Sequence, residues 1–119
     1  MNVTPLTALS PVDGRYAARC VELRQLLSEA GLVRARVRVE VAWLAALARD
    51  ASIPEMQGLA QADLDVAGRI ASTFGEADAV AVKEIERETN HDVKAVEYFV
   101  KRRLGEYPAW QSRIEFVHF

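Results

Sequence analysis

Apolar residues recur along this chain three and four positions apart, with short polar stretches between the runs, which is the signature of amphipathic helices. The first sixteen residues lack that period. They carry Pro5, Ser10, Pro11, Asp13 and Gly14 and read as an ordered loop, with Asp13-Gly14 as a turn in which glycine can take positive φ. Val21, Leu23, Leu26 and Leu27 then predict a helix over about 17–29. Ser52-Ile53-Pro54 marks a break, and Asp63, Leu64, Val66, Ile70 and Phe74 predict a helix over 61–74 closed by Gly75. The next spans 76–88, with Val80, Val82 and Ile85 facing inward. Another spans 92–104 on Val93, Val96, Phe99, Val100 and Leu104, and Gly105 ends it. Its last turn holds Lys101, Arg102 and Arg103, where the helix dipole favours cations, and Pro108 is placed to start a further helix.

The segment between the first predicted helix and the Ser52-Ile53-Pro54 break supports two periods. Val33, Ala35, Val37, Val39 and Val41 alternate with Arg34, Arg36, Arg38 and Glu40, as in a half-buried strand. The same residues give a helical stripe of Val33, Val37, Val41, Leu44 and Ala48, and the alanine- and leucine-rich run 44–48 has high helix propensity. A lone strand would have no partner elsewhere in the chain. The reading taken is a helix over 32–50 and an all-α fold of five or six helices.

Composition narrows the class. With 119 residues, 50% hydrophobic and 27% charged, the chain suits one soluble domain with a real core. A formal net charge of −2 supplies no global field toward nucleic acid or an anionic membrane. Cys20 is the only cysteine, so no internal disulfide can form; it is expected to be a small buried hydrophobe in a reducing, cytoplasmic protein. The start lacks a signal-peptide pattern and no apolar run reaches membrane-spanning length. The ending Glu115-Phe116-Val117-His118-Phe119 is unusually apolar for a terminus, and truncation of a longer protein is expected from it.

No phosphate-binding glycine loop, zinc-type Cys/His spacing or nucleophile elbow occurs, so no metal or cofactor is expected. Two polar segments can carry chemistry. In Ser10-Pro11-Val12-Asp13-Gly14-Arg15-Tyr16 a rigid turn delivers a guanidinium and a phenol side by side, suited to a phosphate or carboxylate; the bland reading is a turn with a solvated arginine. In Thr89-Asn90-His91-Asp92 the bland reading is capping, with Thr89 or Asn90 as the cap and Asp92 at the positive helix end. The functional reading is an amide, an imidazole and a carboxylate that could orient it. Arg34, Arg36 and Arg38 spread over more than one helix face and make no phosphate clamp; like Lys101-Arg102-Arg103 they do not read as a nucleic-acid site.

These segments also carry a family resemblance. Ser10–Tyr16, Thr89–Phe99, the Arg-Val-x-Val-Glu-Val-x-Trp run of 36–43 followed by Leu44, and Glu115–Phe119 together resemble the bacterial adenylosuccinate lyases of the fumarase/aspartase superfamily. The resemblance extends over the whole chain. It implies a small N-terminal helical domain, residues 1–119, that stops before the superfamily's central long-helix bundle. It implies β-elimination of fumarate from adenylosuccinate to give AMP, and from the succinylated imidazole-carboxamide ribotide, in purine biosynthesis. Arg15 and Tyr16 would contact the nucleotide, and Asn90, His91 and Asp92 would form a second substrate-contacting wall. The acid histidine and base serine of the family lie beyond position 119, so no catalytic residue is expected here. His118 belongs to a substrate-binding motif whose other members would follow it, and its role stays open.

The resemblance further implies a homotetramer whose active sites draw on several subunits. Two competing readings are a standalone helical interaction module without catalysis, and a superfamily lyase acting on another succinylated amine. The Ser10–Tyr16 and Thr89–Asp92 strings argue against the latter.

Overall fold

A computed structural model describes residues 2–118; Met1 and Phe119, the last residue of the apolar ending, lie outside the described residues. The helices are α1 (Val21–Leu27), α2 (Glu29–Arg49), α3 (Gln61–Ser72), α4 (Glu76–Thr89), α5 (Asp92–Leu104) and α6 (Pro108–Gln111), with 3-10 turns at Ala17–Cys20, Pro54–Met56 and Ile114–Phe116. No strand occurs among the described residues. The chain divides between Leu32 and Val33 into two compact units.

In the first unit, the expected helix over 17–29 is broken into a 3-10 turn and the two-turn α1. Ser28 stops it with extended backbone (ψ 167°). Gly31 explains the tightness of the restart: a Cβ there would lie 2.7 Å from the carbonyl oxygens of Gln25 and Leu26. The stripe that predicted α1 is not buried, since Val21, Leu23, Leu26 and Leu27 are all exposed. Cys20 is half-buried rather than a core residue.

From Val33 onward the helical reading of 32–50 holds. Val33, Val37, Val41 and Leu44 are buried on α2 while Val39 and Trp43 on the other face are exposed. The alternating valines arise because a helix places 33, 37, 41 and 44 on one face, whatever lies at 35 and 39. α3 ends at Ser72, two residues earlier than expected, and Gly75 instead caps α4: its N–H donates to the Asp78 carboxylate at 3.0 Å. On α4 the inward face is Ala79, Val82 and Ile85; Val80 is exposed, one position off the stripe.

α4 and α5 form an antiparallel hairpin. Asn90 reverses the chain in the left-handed region (φ 51°), and Arg103 at the end of α5 reaches Asp78 at the start of α4 at 2.6 Å. Phe74 packs edge-on against Phe99, with centroids 5.6 Å apart, and Ala95, Val96, Val100 and Leu104 complete the buried face of α5. Trp110 on α6 is fully buried and its indole N–H donates to the Asp63 carbonyl at 2.9 Å. Arg113 donates to the carbonyls of Glu55 (3.0 Å) and Gln57 (2.7 Å), which fixes the 54–56 turn under α6.

Candidate functional site

Arg15 and Tyr16 sit in the first unit, after a compact loop. Thr4 and Thr7 bond to each other at 3.1 Å, and turns run from Ser10 to Asp13 and from Pro11 to Tyr16. Gly14 is needed here for space rather than for positive φ: a Cβ would come within 2.8 Å of the Pro5 carbonyl oxygen and 3.2 Å of the Ala8 side chain. The close approach clamps the loop immediately before Arg15. The guanidinium then lies over the Tyr16 ring, 4.6 Å from its centroid, and donates to the phenol oxygen at 2.7 Å. Both side chains are exposed. The phenol accepts one guanidinium N–H, leaving its own O–H and the remaining N–H groups outward, an all-donor surface suited to an anion.

Asn90, His91 and Asp92 lie together in the second unit, at the α4–α5 corner. Capping is done by a different residue from the one expected: His91 is the N-cap of α5, and its Nδ1 accepts the Lys94 backbone N–H at 3.2 Å. Thr89 supports the corner, its hydroxyl donating to the His91 carbonyl at 3.2 Å while accepting the His91 N–H at 3.3 Å. Asn90 is the left-handed C-cap of α4, a conformation that asparagine tolerates better than most residues.

Asp92 does not orient the imidazole. Its nearer oxygen is 4.0 Å from His91 Nδ1, too far for a hydrogen bond, and that nitrogen is already occupied. Both carboxylate oxygens have other partners: the Arg36 guanidinium at 2.8 Å and the Val93 N–H at 2.9 Å. The Arg36 bond, then the Val93 bond, hold its carboxyl below the ordinary carboxylate range. Arg36, one of three arginines expected to spread over more than one helix face, ties α2 to the corner.

The capping bond fixes the chemistry of His91. A backbone N–H only donates, so Nδ1 must be the unprotonated nitrogen of the neutral ring, and Nε2 carries the hydrogen. The exposed end of His91 is therefore a donor rather than a base. Two substitutions separate the two ends. Asparagine, a good N-cap, places an oxygen near the Nδ1 position; glutamine places an amide nitrogen near Nε2 and caps poorly. His91→Asn is expected to stay within about 0.5 kcal/mol of the parent, and His91→Gln to lose about 1 kcal/mol, in urea denaturation. Equal losses in both would refute the capping role.

Sequence reasoning missed a further cluster. Glu40 on α2 is fully buried, and Glu97 on α5 is 3% exposed. Glu97 is held by Lys94 Nζ at 2.6 Å and faces His118 Nδ1 at 3.4 Å; Lys94 Nζ also lies 3.4 Å from that ring nitrogen. Glu97 keeps the Lys94 ammonium above its ordinary value. The signal was available: both glutamates fall inside the apolar stripes of their helices, where charge is out of place.

An open groove of about 950 Å³ between α2 and α3 is lined by residues such as Val39, Ala42, Leu64 and Ala71, with Arg38, Arg49 and Arg69. None of the five sequence-predicted site residues lines it. Among the described residues no group of three acidic, His or Cys side chains could hold a metal, and no helix is long and apolar enough to cross a membrane.

No protein-family model matches the chain. Its homologues are adenylosuccinate lyases that align with every one of its residues. That of Vibrio cholerae is 47% identical over 119 residues, that of Escherichia coli 48% over 119, and that of Haemophilus influenzae 49% over 120. The chain spans about a quarter, 26%, of the length of these relatives.

Proposed function

We propose that this chain is the substrate-binding N-terminal part of an adenylosuccinate lyase, which eliminates fumarate from adenylosuccinate and from the succinylated imidazole-carboxamide ribotide. The observation that carries this reading is a match at 47–49% identity to lyases of that name, over all of the chain. Residues 1–119 then act as one contributor to a composite site. The intact enzyme works as a homotetramer in the cytoplasm, and its acid and base come from outside these residues.

On this reading each group has a task. An anti elimination needs a base for the carbon-bound proton, an acid for the leaving nitrogen, and donors for the charge that builds on the carboxylate. Arg15 and Tyr16 supply the clamped donor pair for the nucleotide part. His91 supplies its Nε2–H, and the Asn90 amide stands beside it on the same corner. Asp92, with both oxygens occupied by Arg36 and Val93, holds the corner in shape. It contributes to the wall as a positioning residue.

The test is a pair of assays of fumarate release from adenylosuccinate. The 119-residue chain alone is expected to release none. A chimera that joins it to the remaining three quarters of the Escherichia coli relative is expected to turn over. Turnover by the isolated chain would overturn the division of labour. A chimera that assembles as a tetramer and stays inactive would instead favour a non-catalytic helical module.

A further inference from the structure

Glu40 differs from every other carboxylate described here. It has no water contact, and neither of its oxygens has a hydrogen-bond partner among the described residues. Among the described residues the groups facing it are few. From α5 come the Glu97 carboxylate and the Lys101 ammonium; from the segment after Ile114–Phe116 come the ring and backbone N–H of His118. That N–H points toward Glu40 without making a well-formed bond. Glu97 is compensated by Lys94, at 2.6 Å, whereas Glu40 is not. Glu40 is covered rather than deep, since His118 beside it is itself largely exposed.

An ionised carboxylate with no donor, next to a second buried carboxylate, is the arrangement that protein interiors avoid most consistently. Holding a proton removes the charge from a position that water does not reach. We propose that Glu40 and Glu97 form a buried proton site, binding one proton between them, and that losing it as pH rises loosens the segment 114–118. The site is independent of the lyase reading.

Burial first, and the Glu97 charge second, raise the Glu40 carboxyl above its ordinary value; the His118 N–H, its ring and Lys101 pull the other way. For a group raised in the folded state, the bound proton's stabilisation is complete below the unfolded value. It is lost as pH climbs through the folded one. The part that yields is the shortest. α2 and α5 are pinned by Val37, Leu44, Val96 and Val100, all fully buried. The 114–118 segment is held by buried Val117, by Glu115 to Lys101 at 3.3 Å and by His118 to Glu97 at 3.4 Å, the last made to the proton site itself.

The experiment is carboxyl-carbon NMR on the 119-residue chain labelled with ¹³C-glutamate, titrated from about pH 4 to about pH 8, alongside amide exchange. One glutamate is expected to titrate above the rest. Its signal should vanish in Glu40→Gln and move to lower pH in Glu97→Gln, where the neighbouring charge is gone. Exchange at Phe116, Val117 and His118 should rise with pH beyond the ordinary base-catalysed increase in the parent chain, and by no more than that increase in Glu40→Gln. Glutamates that all titrate together in the parent chain would overturn the site, even if Glu40→Gln fails to fold. Parent and Glu40→Gln exchange profiles that coincide would overturn the link to segment 114–118.

Discussion

Trp110→Ala is expected to destabilise the unit from Val33 onward by about 3–5 kcal/mol, read as a lower urea midpoint with little change in slope. The residue is fully buried, so the truncation removes an indole from a closed core and leaves a cavity. It also leaves the Asp63 carbonyl without the N–H that now meets it at 2.9 Å. Asp63 has a second duty, since its carboxylate accepts the Ala60 N–H at 2.9 Å at the start of α3. The loss therefore reaches from α6 to the first turn of α3. Trp110→Phe separates the parts: it keeps most of the ring volume and should cost about 1–2 kcal/mol for the orphaned carbonyl and the smaller ring. A loss below about 1 kcal/mol for the alanine variant would mean that α6 is not part of the cooperative unit. Domains of this size are stable by only about 5–15 kcal/mol in total, so the expected loss is a large share.

Arg15→Ala, made in the chimera with the Escherichia coli relative, is expected to raise KM for adenylosuccinate by about 10–100-fold and to leave kcat within a few-fold, the loss of one charge-assisted contact. The guanidinium is held over the Tyr16 ring at 4.6 Å before any ligand arrives. Its geometry is thus paid for in the free protein, and removing it weakens ground-state and transition-state binding alike. Tyr16→Phe removes the phenol that now accepts the 2.7 Å bond from Arg15, and should give a smaller rise in KM. A KM that does not move in Arg15→Ala would take the first unit out of substrate recognition. A fall in kcat with unchanged KM would place Arg15 on the reacting atoms instead.

Much of this was legible along the chain. The all-α class and the helices over 32–50 and 92–104 follow from apolar residues at 33, 37, 41 and 44 and at 96, 99, 100 and 104, because a helix brings those positions onto one face. The polar interruption at Thr89–Asp92 announced the corner, and Gly14 announced a tight turn before Arg15. Errors arose where local signals had two outlets. Gly75 can stop one helix or start the next, and the Asp78 carboxylate at 3.0 Å decided for the second. Capping was expected of Thr89 or Asn90, yet it is the Nδ1 of His91 that takes the Lys94 N–H.

By itself, then, the sequence determined where most helices form, where the chain must turn, and which family of strings it shares, all of which depend on neighbours a few residues apart. Three features needed tertiary structure. Trp110 entered the core although its four-residue helix has no period to read. Arg36 found Asp92 across 56 positions and took up one of its carboxylate oxygens. Glu40 and Glu97 came to lie together from separate helices, each a single charge within an apolar stripe. Hydrophobic period specifies a face but not its partner. Which charges meet, and which stay without a counter-ion, is settled only when two faces close on each other and exclude water.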